Sequence, residues 1–302
     1  SRAAVIAGQF AEAFPLAYRA TYGPAAAALD ILRLRRLSAG EGGDQDLRRG
    51  VRLHAMTGDG DNRLRLKLYQ RSGAIALSDV VPALENFGFR VIEDTPTSLA
   101  GKDGALGTIH DFQLDLPAGR TAAQALALAP MIEDALSIVL NGSGEDDAFN
   151  RLIAGIGLGT REVTWLRAWY RYLRQAGLHF SIPTVVDALQ HAPQVTMGLI
   201  DLFRATQDPG FKADRTKAEA EAQEAIRIGL TKVAAINDDR LLRAYRALVG
   251  AILRTNAFAP ATQGLGMQGK GDVALAFKLD SALVPGLPKP LPWREVFVYS
   301  PR

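Results

Sequence analysis

An α+β fold is the reading the sequence supports, and two observations carry it. Between residues 51 and 145, short alternating apolar runs are interleaved with two amphipathic stretches. From about residue 146 to 258, the apolar residues recur with helical spacing almost without interruption. The expected architecture is a small antiparallel sheet with helices on one face, followed by a helical bundle and a short β segment.

Residues 1–50 read as N-terminal helices and a loop. One helical stretch is broken at Pro15 and at Gly23-Pro24, and Ala25–Leu34 continues it. Leu37–Gly50 is polar and glycine-bearing. Val51, Leu53 and Ala55 alternate, as do Leu64, Leu66 and Leu68. Between them lies T-G-D-G-D-N (Thr57 to Asn62), whose residues tolerate positive φ, so a hairpin is expected. The same run superficially suggests calcium. Arg63 and Tyr69-Gln70, however, occupy places where an EF-hand loop needs ligands. Ser78 is placed to cap a helix with apolar residues Val80, Val81, Leu84 and Phe87, and Gly88 to end it. Phe89–Ile92 and Ile109–Leu116 read as strands joined by a polar loop with Gly101 and Gly104. Ala122–Leu140 is a second amphipathic helix.

Residues 146–260 form the expected bundle. Its helices are Leu152–Ile156, Glu162–Gln175, Ile182–Leu189, Val195–Arg204, Arg215–Ile236 and Asp239–Thr255. Residues 261–302 read as a linker and two β-prone runs, Val273–Leu279 and Val296–Tyr299, outside the bundle. The prolines between them (Pro285, Pro288, Pro290, Pro292) belong to a connection, since proline cannot donate to a sheet ladder. Both ends look cut. The last strand is accordingly expected to be mobile, paired only with Val273–Leu279, or paired with a neighbouring molecule.

Composition excludes several functions. The chain has 302 residues, enough for two domains, with 48% hydrophobic and 22% charged residues. A net charge of +3 with interleaved signs does not suggest nucleic acid; Arg33–Arg36 with Arg48 and Arg49 reads as a solvated face. With no cysteine there is neither a disulfide framework nor a thiolate metal site, and no two of the four histidines have helical metal-ligand spacing. No apolar run is long enough for a membrane span, and no leader pattern opens the chain, so a cytoplasmic location is expected.

Two glycine motifs fail their tests. Gly155-Ile156-Gly157-Leu158-Gly159 lacks the preceding strand and the spacing of a dinucleotide fingerprint, and is better read as a helix–helix turn capped by Thr160. The run from Gly264 to Lys270 matches G-x-x-x-x-G-K, but Gly271 stands where a hydroxyl must hold Mg²⁺. His110 and Asp111 are adjacent on a strand and so face opposite ways, which excludes a paired role on one substrate. Arg167, Trp169, Tyr170, Arg171, Tyr172 and Arg174 share one helix. Either they contact another domain or subunit, as aromatic and arginine residues do at interface centres, or the helix is simply half-buried. No catalytic or metal constellation stands out.

L-V-P-G-L-P-K-P-x-P-x-x-E-x-F-V-Y-S-P-R (Leu283 to Arg302) resembles the segment just before the catalytic domain of the large bacterial NAD-specific glutamate dehydrogenases. Phe10–Arg19, Leu77–Ile92, Ile109–Phe112, Leu166–Gly177 and Leu253–Phe258 follow the same family in order. The resemblance implies an ACT-like regulatory module over the sheet. It implies a parent enzyme that converts L-glutamate and NAD to 2-oxoglutarate, ammonia and NADH. The family's lysine-bearing pocket and nicotinamide site lie beyond these residues, so no catalytic residue carries over and no cofactor is expected in this chain. A non-catalytic regulatory and structural role follows, with the parent's catalytic domain and sister subunits as partners. Rival readings are a stand-alone amino-acid sensor and a self-sufficient enzyme. The resemblance also implies an effector site, since ACT modules commonly bind amino acids near the loop between the first strand and first helix, usually at a module–module interface; here Arg71, Ser72 and Gly73 would offer a guanidinium, a hydroxyl and close backbone approach. The alternative is a plain polar turn.

Overall fold

The computed structural model describes residues 2–10, 12–38, 48–72, 75–102, 104–117, 119–259 and 274–300. It divides into two compact units, one ending at Asp147 and one beginning at Ala148. The Gly264–Gly271 motif lies outside the described residues.

The first unit opens with helices α1 (Arg2–Phe10), α2 (Leu16–Thr21) and α3 (Pro24–Ser38). The order is then β1 (Arg49–His54), β2 (Arg63–Gln70), α4 (Leu77–Asn86), β3 (Arg90–Gly101), β4 (Gly104–Asp115), α5 (Ala122–Ala127) and α6 (Ala129–Leu140). The strands form one antiparallel sheet in the order β1-β2-β4-β3. The first hairpin sets the register: Val51 lies opposite Leu68, and Leu53 opposite Leu66. Leu66 in turn faces Phe112, and Leu64 faces Leu114. Alternation therefore places these side chains on one face, covered by α4 and α6 through Val80, Leu84, Ile132 and Leu136.

Helices were expected on one face only. The module's own helices obey this, but α1–α3 close part of the other face. Phe10, Phe14, Tyr18 and Leu34 bury themselves against Tyr69, Leu99 and Ile109 there.

Local details differ from expectation for identifiable reasons. Ala76, not Ser78, occupies the N-cap position of α4 and makes no side-chain cap; the Ser78 hydroxyl meets Asp79, 3.4 Å away. Gly88 ends the helix as expected, at φ 88°. The stretch expected as a loop between Ile92 and Ile109 is instead a long hairpin, with Thr95 opposite Asp111 and Thr97 opposite Ile109. Pro96 is tolerated because β3 is an edge strand. The second long helix breaks at Leu128, the N-cap of α6, with Pro130 in the first turn of that helix.

In the second unit the helices are α7 (Arg151–Ile156), α8 (Thr160–Gln175), α9 (Ile182–His191), α10 (Pro193–Gln207), α11 (Arg215–Leu230) and α12 (Ile236–Ala251). Helices α10 and α11 approach closely. A Cβ at Gly198 would lie 2.7 Å from Ile226 Cγ1, and one at Gly229 2.6 Å from Val195 Cγ2. Two expected helix ends were too long. Helix α11 stops at Leu230, and Ile236 starts the next helix. Residues Ile252–Thr255 form strand β5, because the backbone after Ala251 pairs with β6 (Leu275–Leu279) rather than continuing the helix.

Strand β6 pairs in turn with β7 (Glu295–Tyr299), giving a three-stranded antiparallel sheet, β5-β6-β7. This sheet was expected to stand apart from the bundle. It packs on it instead: Phe277 lies against Phe203, and Phe297 against Tyr172. Among the described strands β7 pairs only with β6, one of the arrangements expected for it.

Candidate functional site

The most unusual chemistry of the first unit is a buried ionic cluster between its N-terminal helices and the sheet. Residues of odd parity on β2 face α1–α3, so Lys67 and Tyr69 point into that layer beside Arg52 of β1. Helix α3 brings Asp30, which is completely buried.

Four donors converge on the Asp30 carboxylate. Lys67 Nζ and Tyr18 Oη each donate to Oδ2 at 2.6 Å; Tyr69 Oη donates to Oδ1 at 2.7 Å and Arg52 Nη1 at 3.3 Å. The Lys67 ammonium also sits 3.6 Å from the centroid of the Tyr22 ring. Burial pulls Lys67 below its ordinary pKa, and the hydrogen bond it donates to Asp30 opposes that. Burial pushes both tyrosine hydroxyls up, Asp30 adding to the effect, so both stay protonated donors. The cluster is a satisfied polar network, which holds two layers in one register.

A second pair adjoins it. Tyr22 Oη donates to Asp111 Oδ2, and His54 Nε2 lies 3.4 Å from Asp111 Oδ1. Burial raises the Asp111 carboxyl to about 7. Burial first, then Lys67 and Arg52, lowers His54 to about 4. The signs are opposite. Asp111 holds its proton longer in the folded state, so its contribution is complete below its ordinary value of 3.8 and is lost as pH rises through about 7. His54 contributes fully above 6.5 and loses its contribution as pH falls through about 4. Asp111→Asn removes the first limb. We expect its stability relative to the parent chain to rise with pH by about 1.4 kcal/mol per unit from about pH 4 to 7. Urea unfolding at a series of pH values measures this, and a pH-independent difference would show that Asp111 titrates as an ordinary carboxylate.

His110 and Asp111 face opposite ways, as adjacency on a strand requires. His110 Nδ1 meets Asp94 Oδ2 at 2.7 Å on the other face. The Asp59 carboxylate of the first hairpin turn is occupied by the Met56 amide and by Arg65. Among the described residues no group of three or more His, Asp or Glu side chains could hold a metal.

Of the proposed effector residues, Arg71 and Ser72 are exposed just after β2, and Gly73 lies outside the described residues. The Ser72 carbonyl accepts from Gln70 Nε2 at 2.7 Å. Arg71 has no partner among the described residues.

On α8, Arg167, Trp169 and Tyr170 are buried among residues of their own unit. Arg167 donates to Asn150 Oδ1 at 2.9 Å, Tyr170 Oη donates to the Phe180 carbonyl at 2.8 Å, and Trp169 packs edge-on to Phe203. Arg171 is partly exposed. Tyr172 Oη donates to Glu295 Oε2 at 2.7 Å, joining α8 to β7. At the glycine turn before α8, Gly157 takes the left-handed conformation at φ 79°, and Gly159 rather than Thr160 is the cap, its amide donating to Glu162 at 2.6 Å. It is a helix–helix turn, with no strand before it.

The sequence reading missed the ionic cluster. The available signals were an aspartate inside the apolar run A-A-A-A-L-D-I-L and a lysine in a strand flanked by leucines. Neither shows that it is buried until the third layer is in place.

Four family models match this chain in order. Glutamate dehydrogenase, helical motif 2, covers residues 1–37; glutamate dehydrogenase, ACT3 domain, covers 48–127; glutamate dehydrogenase, helical motif 3, covers 144–209. Bacterial NAD-glutamate dehydrogenase, catalytic domain, covers 225–302. The chain belongs to the bacterial NAD-glutamate dehydrogenase family. Its sheet unit is the ACT3 domain of that family, and α1–α3 are its helical motif 2. Curated NAD-specific glutamate dehydrogenases agree. The Halomonas elongata protein is 35% identical over 99% of this chain, that of Pseudomonas aeruginosa 33% over 98%, and that of Mycobacterium tuberculosis 32% over 97%. The chain spans 18% of the length of each. In this region of a glutamate dehydrogenase, the ionic cluster joins helical motif 2 to the ACT3 sheet. Among the described residues no helix is long and apolar enough to cross a membrane.

Proposed function

We propose that this chain is a non-catalytic regulatory and structural region of an NAD-dependent glutamate dehydrogenase. The whole enzyme would oxidise L-glutamate to 2-oxoglutarate and ammonia, with NAD bound by other parts of the protein. The observation that carries the family part of this reading is the ordered succession of helical motif, ACT3 domain, helical motif and catalytic-domain matches along one chain; the non-catalytic part rests on Gly155–Gly159 being a helix–helix turn rather than a dinucleotide cradle. The polar centre of the ACT3 unit supports a structural role, since every donor around Asp30 is engaged internally.

The partners in this reading are the rest of the enzyme's own catalytic domain, whose family model this chain matches over residues 225–302, and its sister subunits. Strand β7 supports the first: it lies at a sheet edge with Val296 and Val298 exposed, and Trp293 beside it is 82% exposed. Such an edge is a template for further pairing. Arg71, with Ser72 and Gly73, is the place where an amino-acid effector would dock, its guanidinium being available for a carboxylate.

The test is glutamate-dependent NADH formation by the purified chain, with calorimetry against amino acids in parallel. We expect no turnover. Turnover above a blank would overturn the non-catalytic reading. Heats that survive Arg71→Ala would place any effector elsewhere.

A further inference from the structure

In the second unit a cleft of about 580 Å³ opens between the C-terminal end of α8, the exposed side of α12 and the turn at Pro285-Gly286. That volume lies in the range of small-molecule sites. Its walls are mostly carbon: Leu173, Ala176, Leu178, Ala244, Ala247 and Pro285. The turn that ends α8 already uses nearby polar groups, since Leu178 N donates to the Leu173 carbonyl at 2.9 Å and Gly177 N to that of Arg174 at 3.2 Å.

Charge is confined to one side, on consecutive turns of α12. Arg243 Nε is held by both oxygens of Asp239, at 2.9 and 2.7 Å. Its terminal nitrogens have no partner among the described residues, and neither does the guanidinium of Arg240. Three residues apart on a helix, the two arginines share a face. Against one aspartate they leave the rim with a single net positive charge. That balance suits a monoanion. A dianionic phosphate would meet the Asp239 carboxylate without a matching second charge. An arginine fork matches a carboxylate in plane and spacing.

We infer that this cleft binds a monoanionic amphiphile, with a carboxylate at Arg240 and Arg243 and an aliphatic body against the leucine and alanine wall. The inference is independent of the regulatory reading above.

The experiment titrates the chain with sodium octanoate below its micelle concentration, followed by ¹H–¹⁵N NMR. Acetate and octan-1-ol serve as probes that lack the body or the charge. Expected are saturable shifts centred on Leu178, Arg240 and Ala244, with both control probes weaker by at least about tenfold. Arg240→Ala combined with Arg243→Ala should weaken octanoate by at least about tenfold. Both side chains are exposed, so the fold should survive, and circular dichroism checks this. Ala247→Trp, which fills the cleft and keeps both arginines, should abolish the shifts. No saturable shift, equal binding of octan-1-ol, or unchanged binding in the double variant would each overturn the inference.

Discussion

Asp30→Ala is expected to destabilise the first unit by about 3–5 kcal/mol, the usual cost of breaking a buried ion pair from one side. The variant leaves the Lys67 ammonium, which is 1% exposed, without its anion and strips two tyrosine hydroxyls of their acceptor. Asp30→Asn should recover only part of the loss. Its amide oxygen can still accept from only one of the two tyrosines, which donate to different oxygens of Asp30, and the positive charges of Lys67 and Arg52 stay uncompensated. Removing both charges, as in Asp30→Leu with Lys67→Met, should cost less than the sum of the single changes, because apolar replacements of buried pairs are often close to neutral. Amide hydrogen exchange over residues 16–38 and 63–70 gives the reading. All three tryptophans (Trp165, Trp169 and Trp293) belong to the second unit, so tryptophan fluorescence would miss the change. A loss below about 1 kcal/mol for Asp30→Ala would mean the cluster is solvated and contributes like a surface pair.

Trp169→Ala should destabilise the second unit by about 3–5 kcal/mol. The indole is 1% exposed and packs edge-on to Phe203, which also meets Trp165, Phe258 and Phe277. Deleting it opens a cavity where helices and the β5-β6-β7 sheet share one aromatic core. The Nε1 of Trp169 is buried with no hydrogen-bond partner among the described residues. Trp169→Phe therefore sacrifices volume but no hydrogen bond, and should cost much less than alanine. Thermal unfolding followed by the fluorescence of Trp165 compares the two. Equal losses for Phe and Ala would show that the indole nitrogen, not the packing, holds the site.

Much of the candidate site could be read only in part. The helix–helix turn at Gly155–Gly159 was legible, because a dinucleotide fingerprint would need a preceding strand and a fixed local spacing. The opposite orientation of His110 and Asp111 was legible for the same local reason. The role of α8 was not. A row of arginines and aromatics on a helix has the same composition whether it meets a partner or its own bundle; here Asn150, Phe180 and Phe203 surround it.

The chain's local patterns by themselves determined the hairpin at Thr57–Asn62, the alternation of β1 and β2, the stop at Gly88 and most helices of the second unit. Each depends on neighbours a few residues away: the period of apolar positions, a glycine at positive φ, a proline without an N–H. Tertiary structure decided the rest. Ile252–Thr255 left the helical pattern because β6, more than twenty residues later, supplied backbone partners. The loop expected between Ile92 and Ile109 became strand because β4 was there to pair with it. Asp30, Lys67, Tyr18 and Tyr69 became one buried network because a third layer, the helices α1–α3, closed the other face of the sheet. A strand needs a ladder partner, and a buried charge needs a counter-charge, and both are supplied by segments distant in sequence.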